Sequence, residues 1–220
     1  MQFRSSDINT MDTHRRAAFV NSLSGFKSAN LVGTANAQGH TNVAIMSSAV
    51  HLGSKPPLLA LVIRPGEEER HTLNNILDTG CYSLNHVTPD IIEKAHQTAA
   101  RYPADVSEFD ATGLTPVWVE EFGAPMVAEA GIKLGLCLRE HQVLAINGTH
   151  LIIGEVVLAD VPSAWILEEG AVDLSLADSV ALSGLDTYWQ ARALKRMAYA
   201  KPDVPPRALT GSDRPEKHAP

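Results

Sequence analysis

The chain has 220 residues, a formal net charge of −7, and 20% charged against 45% hydrophobic residues, enough for one large domain or two small ones with a real core. An acidic chain without a basic cluster argues against nucleic-acid binding, which needs concentrated Lys and Arg, while a local site for a small phosphorylated molecule stays open. No apolar run approaches the ~20 residues that span a bilayer, and the opening MQFRSSDINTMDTHRR has no apolar signal core, so the expectation is a soluble cytoplasmic protein.

Residues 10–23 predict a short amphipathic helix with Thr10 or Asp12 at its cap and Gly25 as a stop. Two apolar stretches around NAQGH then predict a hairpin with Gly39 at the turn. The second stretch holds Ser47 and Ser48 side by side. Neighbours on a strand point to opposite faces, so the strand either ends or bulges there, or one serine is simply packed. Residues 56–65 predict a third strand, followed by a charged loop and a short helix capped by Thr72 and ended by Gly80. CYSLNHV predicts a strand, and Thr88 with Pro89 opens a helix that stops before Pro103. Residues 103–116 predict a long polar loop. Two long strands joined at Asn147–Gly148 follow, then a helical segment near 186–197. The Pro-rich tail 201–220 is expected to be disordered or to wrap a partner. Six to eight strands joined by hairpins predict a mainly β, closed or nearly closed barrel as a single domain over 1–200, with a few flanking helices. Strand–helix alternation is not sustained, which argues against a doubly wound sheet.

The sequence lacks Gly-x-Gly-x-x-Gly, Walker, His-Glu-x-x-His, Cys-x-x-Cys and Gly-x-Ser-x-Gly patterns. None of the nine histidines pairs at an established ligand spacing, so no metal is expected. Cys81 and Cys137 lie in apolar contexts and are expected as buried free thiols, a disulfide being the alternative.

Three segments carry polar groups that could converge: Asn42 with Ser47 and Ser48, Arg64 at a strand end, and Arg70, His71, Thr72 and Asn75 at a helix start. Exposed amides and the helix dipole make such a start an anion site. The bland alternatives are that Thr72 only caps the helix, that Arg64 only ends a strand and that the serines are packed. Glu67, Glu68 and Glu69 would oppose an anion unless they point away.

The same segments, in the same order, resemble the flavin reductase-like, FMN-binding split-barrel family. The matching positions are Gly39, Asn42, Ala44, Ser47, Ser48, Pro56, Pro57, Arg64, Thr72, Asn75, Ile76, Thr79, Gly80 and Asn85, with THLIIGEVV and GLDTYW downstream. The resemblance implies an antiparallel, Greek-key split β-barrel, a homodimer, and FMN held by Ser47, Ser48 and the helix start at Arg70–Thr72. Relatives often carry Lys-Asp before the threonine, where this chain has Arg70–His71. The implied activity is NAD(P)H-dependent flavin reduction, with chemistry supplied by the cofactor. The alternatives are delivery of electrons to a bound substrate or protein partner, and non-enzymatic flavin or haem binding. The loop 103–116 is expected to cover the ring.

Overall fold

The structure is a computed structural model and describes residues 1–66 and 70–209. Glu67, Glu68 and Glu69, and the tail beyond residue 209, lie outside the described residues. Helices α1 (Ser5–Asn9) and α2 (Thr13–Leu23) open the chain, and the Asp12 carboxylate accepts the Arg15 N–H at 3.0 Å as the cap of α2. Strands β1 (Lys27–Ser28), β2 (Asn30–Ala35), β3 (Thr41–Met46), β4 (Ala49–Ser54) and β5 (Pro57–Ile63) follow. Helix α3 (His71–Thr79) precedes β6 (Cys81–His86). Then come a 3-10 turn (Pro89–Ile91), α4 (Ile92–Gln97), α5 (Glu108–Thr112), β7 (Pro116–Val117) and β8 (Met126–Val127). Long strands β9 (Lys133–Val143) and β10 (His150–Asp160), a 3-10 turn (Ser163–Trp165), β11 (Val180–Ser183) and β12 (Thr187–Gln190) complete the chain.

Seven strands form one sheet in the order β3-β2-β6-β9-β10-β5-β4, every pair antiparallel. β3 and β4 sit at opposite edges of that sheet, yet only Ser47 and Ser48 separate them in the chain. A chain advances at most ~3.6 Å per residue, so two residues join the edges only if the sheet rolls until they meet. The serines are therefore the closing corner of a barrel. Ser48 holds that corner: its hydroxyl donates to the Val62 carbonyl at 2.6 Å, and its own carbonyl accepts the Val62 N–H at 3.3 Å.

Both faces of β2 are buried, which explains its unbroken run of apolar and small residues. Leu31 belongs to a core with Val43, Val87 and Phe109 beneath α4 and α5. Its neighbour Val32 belongs to the barrel interior with Leu61, Ile76, Tyr82, Leu136 and Ile152. Tyr82 is fully buried, and its hydroxyl has no partner among the described residues. It lies where Gly154 leaves room, since a Cβ there would come within 2.2 Å of the Tyr82 oxygen. Burial pushes the phenol above the ordinary tyrosine range. A folded pKa above the unfolded one gives stability that is present below pH ~10 and lost as the unfolded tyrosine ionises. Tyr82→Phe removes an unsatisfied buried hydroxyl and is expected to stabilise the protein by about 1 kcal/mol in denaturant melts, with a shallower alkaline decline. A loss of more than about 1 kcal/mol would show that the hydroxyl is satisfied.

Three expectations are corrected. Residues 187–190 are strand β12, not helix. Tyr188 and Trp189 suit a strand paired on β11, and Trp189 donates its indole N–H to Ser183 at 2.7 Å. The segment 103–116 is not a bare loop, because α5 folds within it and buries Phe109 in the core. The Asn147–Gly148 turn is wider than two residues: β9 stops at Val143, and the Leu144 N–H donates to the Thr149 carbonyl at 2.8 Å. The first residues of the Pro-rich tail fold back on the chain, with Ala198 N–H donating to the Arg207 carbonyl at 2.9 Å and Leu209 N–H to that of Arg196 at 2.8 Å.

Candidate functional site

A cavity of about 760 Å³ opens between β3, the end of β5, the start of α3 and residues 98–104. Asn42, Arg64, Arg70, His71 and Thr72 all line it, so five of the eight candidate residues converge. Asn75 does not. It turns into the barrel, where its amide donates to Thr34 at 3.1 Å, and it borders a second cavity of about 480 Å³. The two cavities share Asn42, His71 and Ala104 along their common wall. Ser47 and Ser48 are also outside the lining, which reaches Met46 and stops. The Ser48 hydroxyl has given its proton to Val62, so it offers a ligand no further donor.

Helix α3 is placed by its apolar face, with Leu73 and Ile76 buried against the barrel. Arg70, not Thr72, occupies its cap position, and the Arg70 side chain makes no capping bond to the first turn. This corrects the expectation that Thr72 is the cap. The Arg70 guanidinium folds back to donate to the Pro65 carbonyl at 3.3 Å, against Gly66. A Cβ at Gly66 would sit 2.5 Å from that guanidinium, so glycine is what lets the arginine lie there. The helix start thus turns its positive dipole end toward the cavity, and its first N–H groups have no side-chain cap among the described residues.

Thr72 has another use. Its hydroxyl lies 3.0 Å from the Asn42 amide oxygen once that amide is turned to face its neighbours correctly, with its nitrogen 3.2 Å from the Glu108 carboxylate. Glu108 also accepts the Val43 N–H at 3.2 Å. The sequence reading missed Glu108 by treating its segment as loop. The signal was present: Ser107 with Asp110 three residues on, and Gly113 beyond, is a start-and-stop pattern for a short helix. Gly113 is left-handed at φ 68°, as a helix terminator should be.

Burial raises the Glu108 carboxyl above the usual glutamate range, against its own and Val43's backbone N–H groups and the nearby His71, which pull it down. A raised folded pKa means that the native state holds the proton longer than the unfolded chain. Stability therefore falls as pH rises from the unfolded value through the folded one. Glu108→Gln removes that titration. The expected result is a flatter stability profile as pH rises above the unfolded glutamate value of about 4.3, measured by urea melts. An unchanged slope would show that Glu108 does not titrate abnormally.

The apolar side chains of Ile45, Met46, Ile63 and Leu73 also line the cavity. One cavity therefore combines apolar side chains with arginines and a helix start. No group of three or more candidate metal ligands occurs among the described residues, and no helix there is long and apolar enough to cross a membrane.

An antiparallel barrel closed by a two-residue corner, with a cavity beside that corner, is the split-barrel architecture. Residues 23–173 match the flavin reductase like domain, and the chain belongs to that family. It is similar to a split-barrel flavin reductase candidate of Shewanella frigidimarina NCIMB 400, at 52% identity and TM-score 0.88 over 91% of this chain and 100% of that one. Nitrilotriacetate monooxygenase component B of Bacillus cereus shares the fold at 20% identity and TM-score 0.78, over 88% of this chain and 96% of that one. An uncharacterised protein of Aquifex aeolicus (strain VF5) is 29% identical over 140 residues, 63% of this chain and 70% of the relative.

Proposed function

We propose that this protein binds FMN in the larger cavity and works as an NAD(P)H-dependent flavin reductase, as a homodimer in the cytoplasm. The observation that carries the reading is the start of α3, without a side-chain cap among the described residues, opening into a cavity that also holds Arg64 and Arg70. FMN pairs a flat, largely apolar ring with a phosphate dianion, and this cavity is lined by apolar side chains together with Arg64 and Arg70. When bound, the flavin supplies the redox chemistry, taking a hydride from reduced nicotinamide. The chain's own work is binding and shielding. The first-turn N–H groups of α3 and the two arginines hold the phosphate. Ile45, Met46 and Ile63 give the ring an apolar bed and exclude water. Asn42, fixed by Thr72 and Glu108, presents polar atoms to the cavity.

The test is the visible spectrum of the purified protein before and after adding FMN and desalting, followed by NADH and NADPH oxidation with FMN present. Retained flavin near one per chain, bleached by one of the nicotinamides, supports the reading. Absence of both binding and nicotinamide oxidation rejects it.

A further inference from the structure

Two thiols that the proposed site does not use face each other across the sheet. Cys81 on β6 is registered directly opposite Cys137 on β9, and no disulfide joins them. Directly opposed residues in an antiparallel pair alternate between hydrogen-bonded and non-hydrogen-bonded kinds. The Leu138 N–H donates to the Gly80 carbonyl at 2.8 Å, a bond that flanks the cysteines rather than joining their own backbones. They are therefore a non-hydrogen-bonded pair, the kind whose Cα atoms sit ~4.5 Å apart with side chains leaning together. A disulfide spans Cα separations of ~4.4–6.8 Å, so this register admits one without moving either strand. Both residues are half-buried, open to a small oxidant.

We propose that Cys81 and Cys137 form a reversible oxidation site, closing into an intrachain disulfide on reaction with a peroxide. One sulfur attacks the peroxide: an S–O bond forms, the O–O bond breaks, and the thiol proton leaves with the departing oxygen as water. The second thiol attacks that sulfenic sulfur: the S–S bond forms, the S–O bond breaks, and a second water departs. Two thiols and one hydrogen peroxide give one disulfide and two waters, with two electrons passing from sulfur to oxygen. Burial first, and the neighbouring sulfur second, push the Cys81 thiol up, which keeps the pair reduced until a strong, small oxidant arrives. The bridge would begin immediately after Gly80, the left-handed end of α3, and anchor that end of the site helix to β9. It would also close a long loop in the unfolded chain and raise the thermal midpoint by several degrees. Reduced flavin with dioxygen yields hydrogen peroxide, so the proposed activity would bring the oxidant to the pair. The inference rests on the strand register alone, and its test uses added peroxide, so its failure and that of the flavin reading are separate.

The fully reduced protein is treated with hydrogen peroxide, quenched with an alkylating agent, and mapped by mass spectrometry without reduction. The expected result is simultaneous loss of both thiols at about one peroxide per chain, a single cross-link between the Cys81 and Cys137 peptides, and full recovery with dithiothreitol. Cys81→Ser and Cys137→Ser should each abolish the cross-link and the gain in thermal midpoint. The proposal is overturned if both thiols remain alkylatable at about tenfold excess of peroxide, if one is driven to sulfinic acid while the other stays free, or if the link joins two chains.

Discussion

Arg64→Ala is expected to weaken FMN binding about 30-fold while leaving riboflavin binding unchanged. Arg64 directly follows β5, lines the cavity and is exposed there. A charge-assisted hydrogen bond from a guanidinium to a phosphate is worth about 1.5–3 kcal/mol, and ~2 kcal/mol is a factor of about 30 in Kd. Riboflavin carries the same ring without the phosphate, so it isolates the contact. Fluorescence quenching titrations of both flavins on both proteins complete the cycle. A parallel loss for both flavins would mean that Arg64 shapes the ring pocket, and an unchanged FMN affinity would place the phosphate elsewhere. The remaining affinity in the variant is expected to come from Arg70 and the α3 amides, which the substitution leaves in place.

Gly33→Ala costs more than about 3 kcal/mol of stability. Gly33 sits mid-strand in β2, paired with Val43 on one side and Ser83 on the other. A Cβ there would lie 2.3 Å from the Pro125 carbonyl oxygen and 2.5 Å from the Ser83 hydroxyl. The hydroxyl cannot simply rotate away without cost, because it donates to that same Pro125 carbonyl at 2.6 Å. Overpacking a core costs about 1–3 kcal/mol when side chains yield, and a backbone carbonyl yields less readily. That is a large share of the ~5–15 kcal/mol that holds a domain folded. Gly53→Ala is the control: its nearest atom would be the Pro56 carbonyl at 3.6 Å, an ordinary contact. Urea melts should separate the two variants clearly. A Gly33→Ala loss below about 1 kcal/mol would mean that residue 125 shifts freely.

What could be read before the structure was local. The NAQGH turn was legible because Gly39 must take a left-handed conformation, and it does, at φ 83°. Gly80, left-handed at φ 71°, ends α3 for the same reason. The cluster of Asn42, Arg64, Arg70, His71 and Thr72 was nominated from polar residues at element ends, and these come together in one cavity. The surroundings of residues with distant partners could not be read. Asn75 donates its amide to Thr34, 41 positions away. Ser48 donates its hydroxyl to Val62, 14 positions away, which the sequence left open beside a ligand role. Residues 187–190 looked helical because their pairing with β11 is a tertiary fact.

By itself, then, the sequence determined the antiparallel, hairpin-rich character of the barrel, the helix start that now lines the cavity, and the exclusion of nucleotide-loop and zinc motifs. These follow from period, turn chemistry and capping, which act within a few residues. Only the tertiary structure decided that Ser47–Ser48 is the corner where two sheet edges meet, that Glu108 reaches back to Asn42 and Val43, and that Cys81 faces Cys137. Those depend on strand order and register. Both are set by packing two buried faces at once, and a shift of one residue along β6 or β9 would have turned Cys81 or Cys137 to the other side of its strand.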